Sequence, residues 1–349
     1  MSERIVSIDD FLRSNRSVTI FGAGSSGLTT LGFLWRKGIH VSFLCDNDRN
    51  KQGTKINGIA VLNPAQLQDD KNSPILIASD WAKDIAQQLN QLGIRNYSHF
   101  VPSAPDHFCP DSILNSLDQL EEVYNLLEDD ASKETFLSQI EFRLTLDSAV
   151  LKVAPYRQYF HPGVKPALGD VILDGGAWTG DTATQFCRQL NSNCTVFAFE
   201  PDDSNFHLLL ETIVKEGLQD QVLLLKSGLS RKNGSVSFQS CAENSMQCRI
   251  ESGGESRIDV VSVDSFASEK AIRIDLIKLD VEGSEEEVLK GARQTLSEAR
   301  PKLQVCVYHK PDDLWKIPLL VRDLNPNYRF FLGHHSQTLF ETVLYAVER

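Results

Sequence analysis

The chain has 349 residues, enough for about two domains of ~150 residues each. With 41% apolar and 23% charged residues it is excluded from the disordered, collagenous and fibrous classes. Its net charge of −12 is spread along the sequence without any Lys/Arg-rich run, so neither nucleic acid nor an anionic membrane surface is the expected partner.

The N-terminal MSERIVSIDDF has mixed charge and no apolar segment of the signal-peptide kind. Ser17 to Trp35 carries no charge and is about long enough to span a bilayer, but its middle, Gly22-Ala23-Gly24-Ser25-Ser26-Gly27, breaks it into a short strand and a helix start. No membrane span and a cytoplasmic location are therefore expected. The cysteines (Cys45, Cys109, Cys187, Cys194, Cys241, Cys248 and Cys306) are odd in number and contain no C-x-x-C pair, which reads as reduced thiols and not as a disulfide or zinc framework.

From residue 17 to residue 101 the pattern alternates. VTIF is followed by a Gly-rich turn, LTTLGFLWRKG, VSFLCD, a polar loop, ILIAS, WAKDIAQQLNQLG and NYSHFV. Strand and helix in this rhythm imply a parallel sheet. Pro102, Pro105 and Pro110 mark a boundary, and from Asp111 to Leu146 the apolar residues fall at helical spacing, with Ser132 the expected N-cap between two helices. A second, longer alternation starts at Val171 and ends in two strands close enough to form a hairpin. The expected architecture is α/β, with two tandem doubly wound domains. A Rossmann-like nucleotide-binding domain covers 1–102, a helical connector 103–165, and a second domain 166–349 has a mostly parallel sheet ending in an antiparallel hairpin.

In the first domain Gly22-x-Gly24-x-x-Gly27 follows a strand and opens a helix, and Asp46 closes the next strand. The glycines allow a tight turn, the helix start favours an anion, and the acid can hold ribose hydroxyls. The same residues can also be a purely structural strand-to-helix turn. The run Asp46-Asn47-Asp48 with Lys51-Gln52-Gly53, then Gly58, Val61 and Pro64, resembles the small nucleotide-binding fold appended to bacterial sugar-modifying enzymes, which implies a nucleotide or sugar nucleotide as ligand.

The second domain opens on Val171-Ile172-Leu173-Asp174 followed by Gly175, Gly176, Ala177, Trp178, Thr179, Gly180 and Asp181. An acid at a strand end before D-x-G-x-x-x-G suits a ligand with an amino-acid tail, because the acid can meet an ammonium while the glycines admit the chain. The ligand expected on these grounds is S-adenosylmethionine. Phe199-Glu200-Pro201-Asp202 closes the next strand, where a carboxylate can accept both ribose hydroxyls. Taken singly, Asp174 reads equally as a helix-capping acid and Glu200 as a solvated strand end.

Together with Ile277-Lys278-Leu279-Asp280-Val281-Glu282-Gly283-Ser284-Glu285, Tyr308-His309-Lys310-Pro311-Asp312-Asp313-Leu314-Trp315 and Glu341-Thr342-Val343-Leu344-Tyr345-Ala346, these segments resemble the FkbM family of S-adenosylmethionine-dependent methyltransferases over roughly residue 130 to the C-terminus. Tyr159-Phe160 before Pro162 resembles the segment such enzymes carry ahead of their first strand. The chain departs where His161 stands for a more usual acid and where Gly333 and His335 flank His334. The resemblance implies methyl transfer to a hydroxyl, often of a sugar or polyketide, and a cofactor contact at Ser227-Gly228-Leu229 beside the adenine.

Asp280 and His309 both end apolar strands on the edge where α/β sheets bind ligands. His309 is the first choice as general base, His334 the second, and Asp280 can orient either imidazole. A divalent ion such as Mg²⁺ on Asp280 and Glu282 is the lesser route, since no third oxygen ligand is evident. Glu285, Glu286 and Glu287 read as favourable helix-dipole placement. The resulting expectation is an O-methyltransferase for a sugar, nucleotide-linked sugar or glycan precursor. Its rivals are an NAD-dependent oxidoreductase using Gly22 to Asp46 and a non-catalytic ligand sensor. The sequence leaves the acceptor and any homo-oligomer open.

Overall fold

The computed structural model describes residues 8–79, 81–100, 110–145, 150–239, 249–250, 256–336 and 338–349. The N-terminal segment before Ile8, Pro102, Pro105, Cys109, Cys241 and Cys248 lie outside them. Cys45, Cys187, Cys194 and Cys306 are free thiols in buried positions, and no helix of the described residues is long and apolar enough to cross a membrane.

The chain forms two compact units, each made of three segments. The first takes Met1–Leu117, Glu134–Val153 and His334–Glu341, and the second Asp118–Lys133, Ala154–Gly333 and Thr342–Arg349. The stretch expected as a connector is thus divided between them. Its helices run Pro110–Asn115, Leu117–Leu126 and Asp130–Thr145. The last is capped by Asp129, whose Oδ1 accepts from the Ser132 amide at 2.7 Å. Ser132 is therefore already inside the helix, and its hydroxyl accepts from the Leu332 amide instead.

The first unit holds a six-stranded sheet of β1 (Ser17–Phe21), β2 (His40–Cys45), β3 (Lys55–Ile56), β4 (Ile59–Leu62), β5 (Ile75–Ile77) and β6 (Tyr97–His99), ordered β3-β4-β2-β1-β5-β6. Every pairing is parallel except β3 with β4. That hairpin falls in the expected polar loop. Asn57 and Gly58, at φ 50° and 81°, supply the two left-handed residues its tight turn requires. One face of the sheet is covered by a core that includes Val18, Ile20, Leu31, Leu34 and Leu76, and Phe142, Leu151 and Leu339 join it from the unit's other segments.

The second unit has a seven-stranded sheet of β7 (Val171–Gly175), β8 (Thr195–Phe199), β9 (Val222–Leu225), β14 (Leu276–Leu279), β15 (Lys302–Cys306), β16 (Tyr328–His334) and β17 (Thr342–Glu348). The order is β16-β17-β15-β14-β7-β8-β9. From β9 to β15 the pairings are parallel, and β17 returns antiparallel to β15 beside β16, in keeping with the expected terminal hairpin. The intervening strands β10 (Gly228–Leu229), β11 (Gly234–Gln239), β12 (Arg249–Ile250) and β13 (Ser256–Val261) form a separate four-stranded sheet that the sequence pattern does not announce. The chain runs outward from β7 to β9 and resumes on the other side of β7 at β14. A crevice therefore opens at the carboxyl ends of β7 and β14, the usual ligand position in such sheets.

Candidate active site at the carboxyl edge of the second unit

Backbone geometry shapes the turn after β7. Gly176, Trp178 and Gly180 have φ of 74°, 48° and 83°. A Cβ on Gly176 would stand 1.8 Å from the Asp280 carbonyl oxygen, and one on Gly175 2.8 Å from Leu229 Cδ1. Glycine is thus required at Gly176 by the backbone that follows β14, whereas at Gly175 the tips of the Leu229 and Leu279 side chains would have to shift. Trp178 tolerates the left-handed region at a cost of roughly 1–2 kcal/mol.

Glu200, 5% exposed at the end of β8, closes over this turn. Its Oε2 accepts from the Trp178 amide at 2.9 Å and its Oε1 from the Asp202 amide at 2.9 Å. Each oxygen keeps a second lone pair. Burial raises its pKa to about 7 against the pull of those two amides. Asp202 caps the helix Asp203–Glu216, accepting from Ser204 and Asn205 through Oδ1, and Pro201 is half-buried between the two acids. Gly228 and Leu229, as β10, pair with Val260 and Val261.

Asp174 is the penultimate residue of β7. It is fully buried within β7 and paired across the ladder with Lys278, whose Nζ lies 2.9 Å from Oδ1. The ammonium that Asp174 meets is this one, a correction to the expectation of a ligand's. Lys278 also donates to the carbonyls of Gly176 at 2.7 Å and Gly175 at 3.3 Å, so the ion pair moulds the glycine turn from beneath. Burial works against the charge of Lys278, but Asp174 and Asp280 hold it protonated.

Beyond β14, Asp280 receives two phenols. Tyr159 donates to Oδ2 and Tyr308 to Oδ1, both at 3.0 Å. Burial penalises its charge, yet Lys278, His309 and the donated hydrogen bonds leave its pKa below the ordinary carboxylate value. His309 Nε2 lies 3.4 Å from Asp280 Oδ1 and 3.6 Å from Glu282 Oε2, while Nδ1 lies 2.8 Å from Glu285 Oε1. With its side chain 7% exposed, burial disfavours the imidazolium. Glu285, Asp280 and Glu282 outweigh that and raise its pKa to about 10. Among the described residues no group of three or more His, Cys, Asp or Glu is arranged to hold a metal ion.

Sequence reasoning passed over Tyr159, Tyr308, Lys278 and Glu285, although each lies in a quoted motif. Glu285, read as a helix-dipole residue, is 1% exposed, and its Oε1 also accepts from the Val281 amide at 2.9 Å. His334 groups with the first unit and is fully buried, and burial drives its pKa down to about 3.

In the first unit, Gly22 and Gly27 are explained by the fold. A Cβ on Gly22 would stand 2.3 Å from the Ala78 carbonyl oxygen, and one on Gly27 1.8 Å from that of Gly22. At Gly24 the nearest atom to a Cβ would be Lys51 Nζ at 4.0 Å. Asp46 accepts from the Ala23 and Asp48 amides at 2.8 Å and from Lys51 at 3.2 Å. Despite partial burial, these bonds hold its carboxyl below the usual range. A cavity of about 340 Å³ lies beside it, lined among others by Phe21, Gly22, Ser79, Trp81 and Asp84.

Residues 174–338 match the methyltransferase FkbM domain, and residues 14–100 match the family described as C2185-like, N-terminal. The hexuronic acid methyltransferase AglP of Haloferax volcanii is 32% identical over 130 residues, 36% of this chain and 52% of its own. The 2-O-methyltransferase NoeI of Sinorhizobium fredii is 27% identical over 150 residues, 37% of this chain and 60% of its own. The chain thus spans little more than half the length of these curated relatives. The redox-sensing transcriptional repressor Rex of Desulfitobacterium hafniense is 30% identical over 99 residues, 26% of this chain and 47% of its own. A solved structure of methyltransferase FkbM from Methylobacillus flagellatus KT superposes with a TM-score of 0.79 at 20% identity, covering 97% of this chain and 92% of that one, which establishes a common fold. Residues 174–338 thus carry the methyltransferase FkbM domain, behind an N-terminal part with a Rossmann-like, mostly parallel sheet.

Proposed function

We propose that the protein is an S-adenosylmethionine-dependent O-methyltransferase acting on a hydroxyl of a sugar, nucleotide-linked sugar or glycan precursor. The observation that carries this reading is the buried Glu200 carboxylate, fixed over the Gly176 to Gly180 turn and opening on the same sheet edge as Asp280. An adenosyl cofactor fits these residues. Glu200 retains acceptor capacity for a ribose, and the turn has no side chain at Gly175, Gly176 or Gly180 to obstruct it. The sugar-directed names of two relatives support the acceptor class.

When bound, the cofactor supplies a methyl group carried on a sulfonium. The chain must orient an acceptor hydroxyl and take its proton. A His309 that holds both ring protons to about pH 10 has no lone pair to offer near neutrality, which reverses the preference for it as base. Asp280 is the proton acceptor in this reading, aimed by Tyr159 and Tyr308 and kept ionised by the His309 imidazolium. His309 acts as its positioning residue.

The decisive experiment incubates the protein with S-adenosylmethionine and a panel of sugars, uronic acids and nucleotide sugars, and measures S-adenosylhomocysteine release with methylated product by mass spectrometry. Failure to bind S-adenosylhomocysteine in calorimetry overturns the reading. For the first unit we propose a nucleotide or sugar nucleotide in the cavity beside Gly22 and Trp81. Asp46 already serves three donors of its own chain, which weighs against an NAD-type ribose contact there. If a nucleotide and sugar-nucleotide thermal-shift panel leaves the melting curve unmoved, the first unit's glycine turn is structural only.

A further inference from the structure

We propose that the indole of Trp178 is a contact surface for the bound adenosyl cofactor, an inference that rests on the cofactor reading above. Three independent features of one residue lead there. The first is its backbone. Trp178 sits at φ 48° between Gly176 and Gly180, a conformation that Gly or Asn adopts readily and a bulky residue does not.

The second is its tether. The Trp178 amide donates to Glu200 Oε2 at 2.9 Å, so the residue is fixed one hydrogen bond away from the carboxylate assigned to the ribose. The third is its side chain. Ala177, its neighbour in the turn, is 1% exposed, whereas Trp178 is 45% exposed. Among the described residues no aromatic ring stacks on it.

Folding asks for none of this. The turn would form more easily without the indole, and the indole gains only half of the burial a core tryptophan obtains. A broad, rigid aromatic face in a disfavoured backbone setting, next to a buried carboxylate with spare acceptor capacity, has the makings of a ligand contact. The ligand surface closest to hand is the adenosyl group that Glu200 would hold, and an indole can lie flat against its base or ribose without any hydrogen-bond requirement.

The test measures binding, not turnover, on the full chain. Calorimetry with S-adenosylhomocysteine compares wild type with Trp178→Asn, which suits the left-handed backbone, Trp178→Phe, which keeps an aromatic face, and Glu200→Ala. Trp178→Asn is expected to weaken binding about tenfold or more, and Trp178→Phe by only about two- to threefold. In parallel, acrylamide quenching of tryptophan fluorescence is expected to show one indole shielded at saturating S-adenosylhomocysteine in wild type and none in Trp178→Asn. Trp35 and Trp81, 52% and 71% exposed, should remain quenchable throughout.

Wild-type affinity in Trp178→Asn alongside a loss in Glu200→Ala overturns this inference and leaves the cofactor reading standing. The same holds if only the acceptor's KM rises in Trp178→Asn, which would assign the indole to the sugar. No binding to wild type overturns the cofactor reading itself. Should the Asn variant fail to fold by circular dichroism, Trp178→Phe and the wild-type quenching experiment decide between the same outcomes.

Discussion

Two ionisable side chains at the site lean in ways that pH can expose. Glu200 is raised to about 7 by burial from an unfolded value of 4.5. The folded chain therefore binds its proton more tightly than the unfolded chain does, and ionising it costs stability as pH climbs from about 4.5 to about 7, with no further change above. The cost is on the order of a few kcal/mol. Glu200→Gln should flatten that part of the stability curve in urea titrations run from pH 4.5 to 8. S-adenosylhomocysteine affinity should run the other way, strengthening as pH rises through 7 in wild type and staying level in Glu200→Gln, because an ionised acceptor makes the stronger bond to ribose hydroxyls. His309 has the same sign in a higher pH window. Raised to about 10 by Glu285, Asp280 and Glu282 against its burial, it contributes stability that is complete below about 6.5 and lost as pH rises through 10. Replacing it with Asn leaves three carboxylates facing one another and should cost about 3–5 kcal/mol at pH 7 in denaturant melts. Asp280→Asn, which preserves shape, should leave cofactor binding intact and lower turnover by about 10²–10⁴-fold in a single-turnover assay. Equal losses in both quantities would assign Asp280 to cofactor binding instead.

At the level of elements, the strands were legible because their chemistry is local. VTIF, VSFLC and ILI in the first sheet, and VILDG, TVFAF and LIKL in the second, are short, mostly apolar runs, the usual pattern of parallel strands. The glycine turns were legible for the same reason. What could not be read was the side-chain geometry set by tertiary register. Lys278 opposes Asp174 only because β14 docks beside β7 after more than a hundred residues have intervened. That pairing, not the spacing of the motif, decides that Asp174 faces inward. Glu285 likewise looks like any acid in a first helical turn until β15 brings His309 against it. The four-stranded sheet was missed because β10 and β12 are two residues each and carry no periodicity. The turns also differ in what they tolerate. Gly176→Ala must displace the Asp280 carbonyl, and Gly27→Ala that of Gly22, so both should fail to yield folded protein. Gly24→Ala meets nothing nearer than 4.0 Å and should change the melting temperature by no more than a few degrees, since Gly24 lies outside the helix interior.

For the molecule as a whole, the two units are interleaved along the chain and cannot be separated by one cut. A fragment beginning near residue 111 would retain Phe142, Leu151 and Leu339 but lose the sheet they cover. It should bind a hydrophobic dye and aggregate where the full chain does not, and a monomeric, dye-negative fragment would show that these residues find other cover.

The same interleaving sets a timetable for biosynthesis. The six strands of the first sheet have all been made by residue 99, yet Leu339, which belongs to their core, is translated only with the much later segment His334–Glu341. At ~5–20 residues per second, a nascent first unit waits on the order of ten seconds or more for its last segment. Through that interval a ribosome-bound chain carries an unfinished apolar face, a natural landing place for a chaperone. Arrested chains ending before His334 should accordingly stay protease-sensitive in the first sheet, and chains extended well past Glu341 should gain protection there within the dead time of the assay.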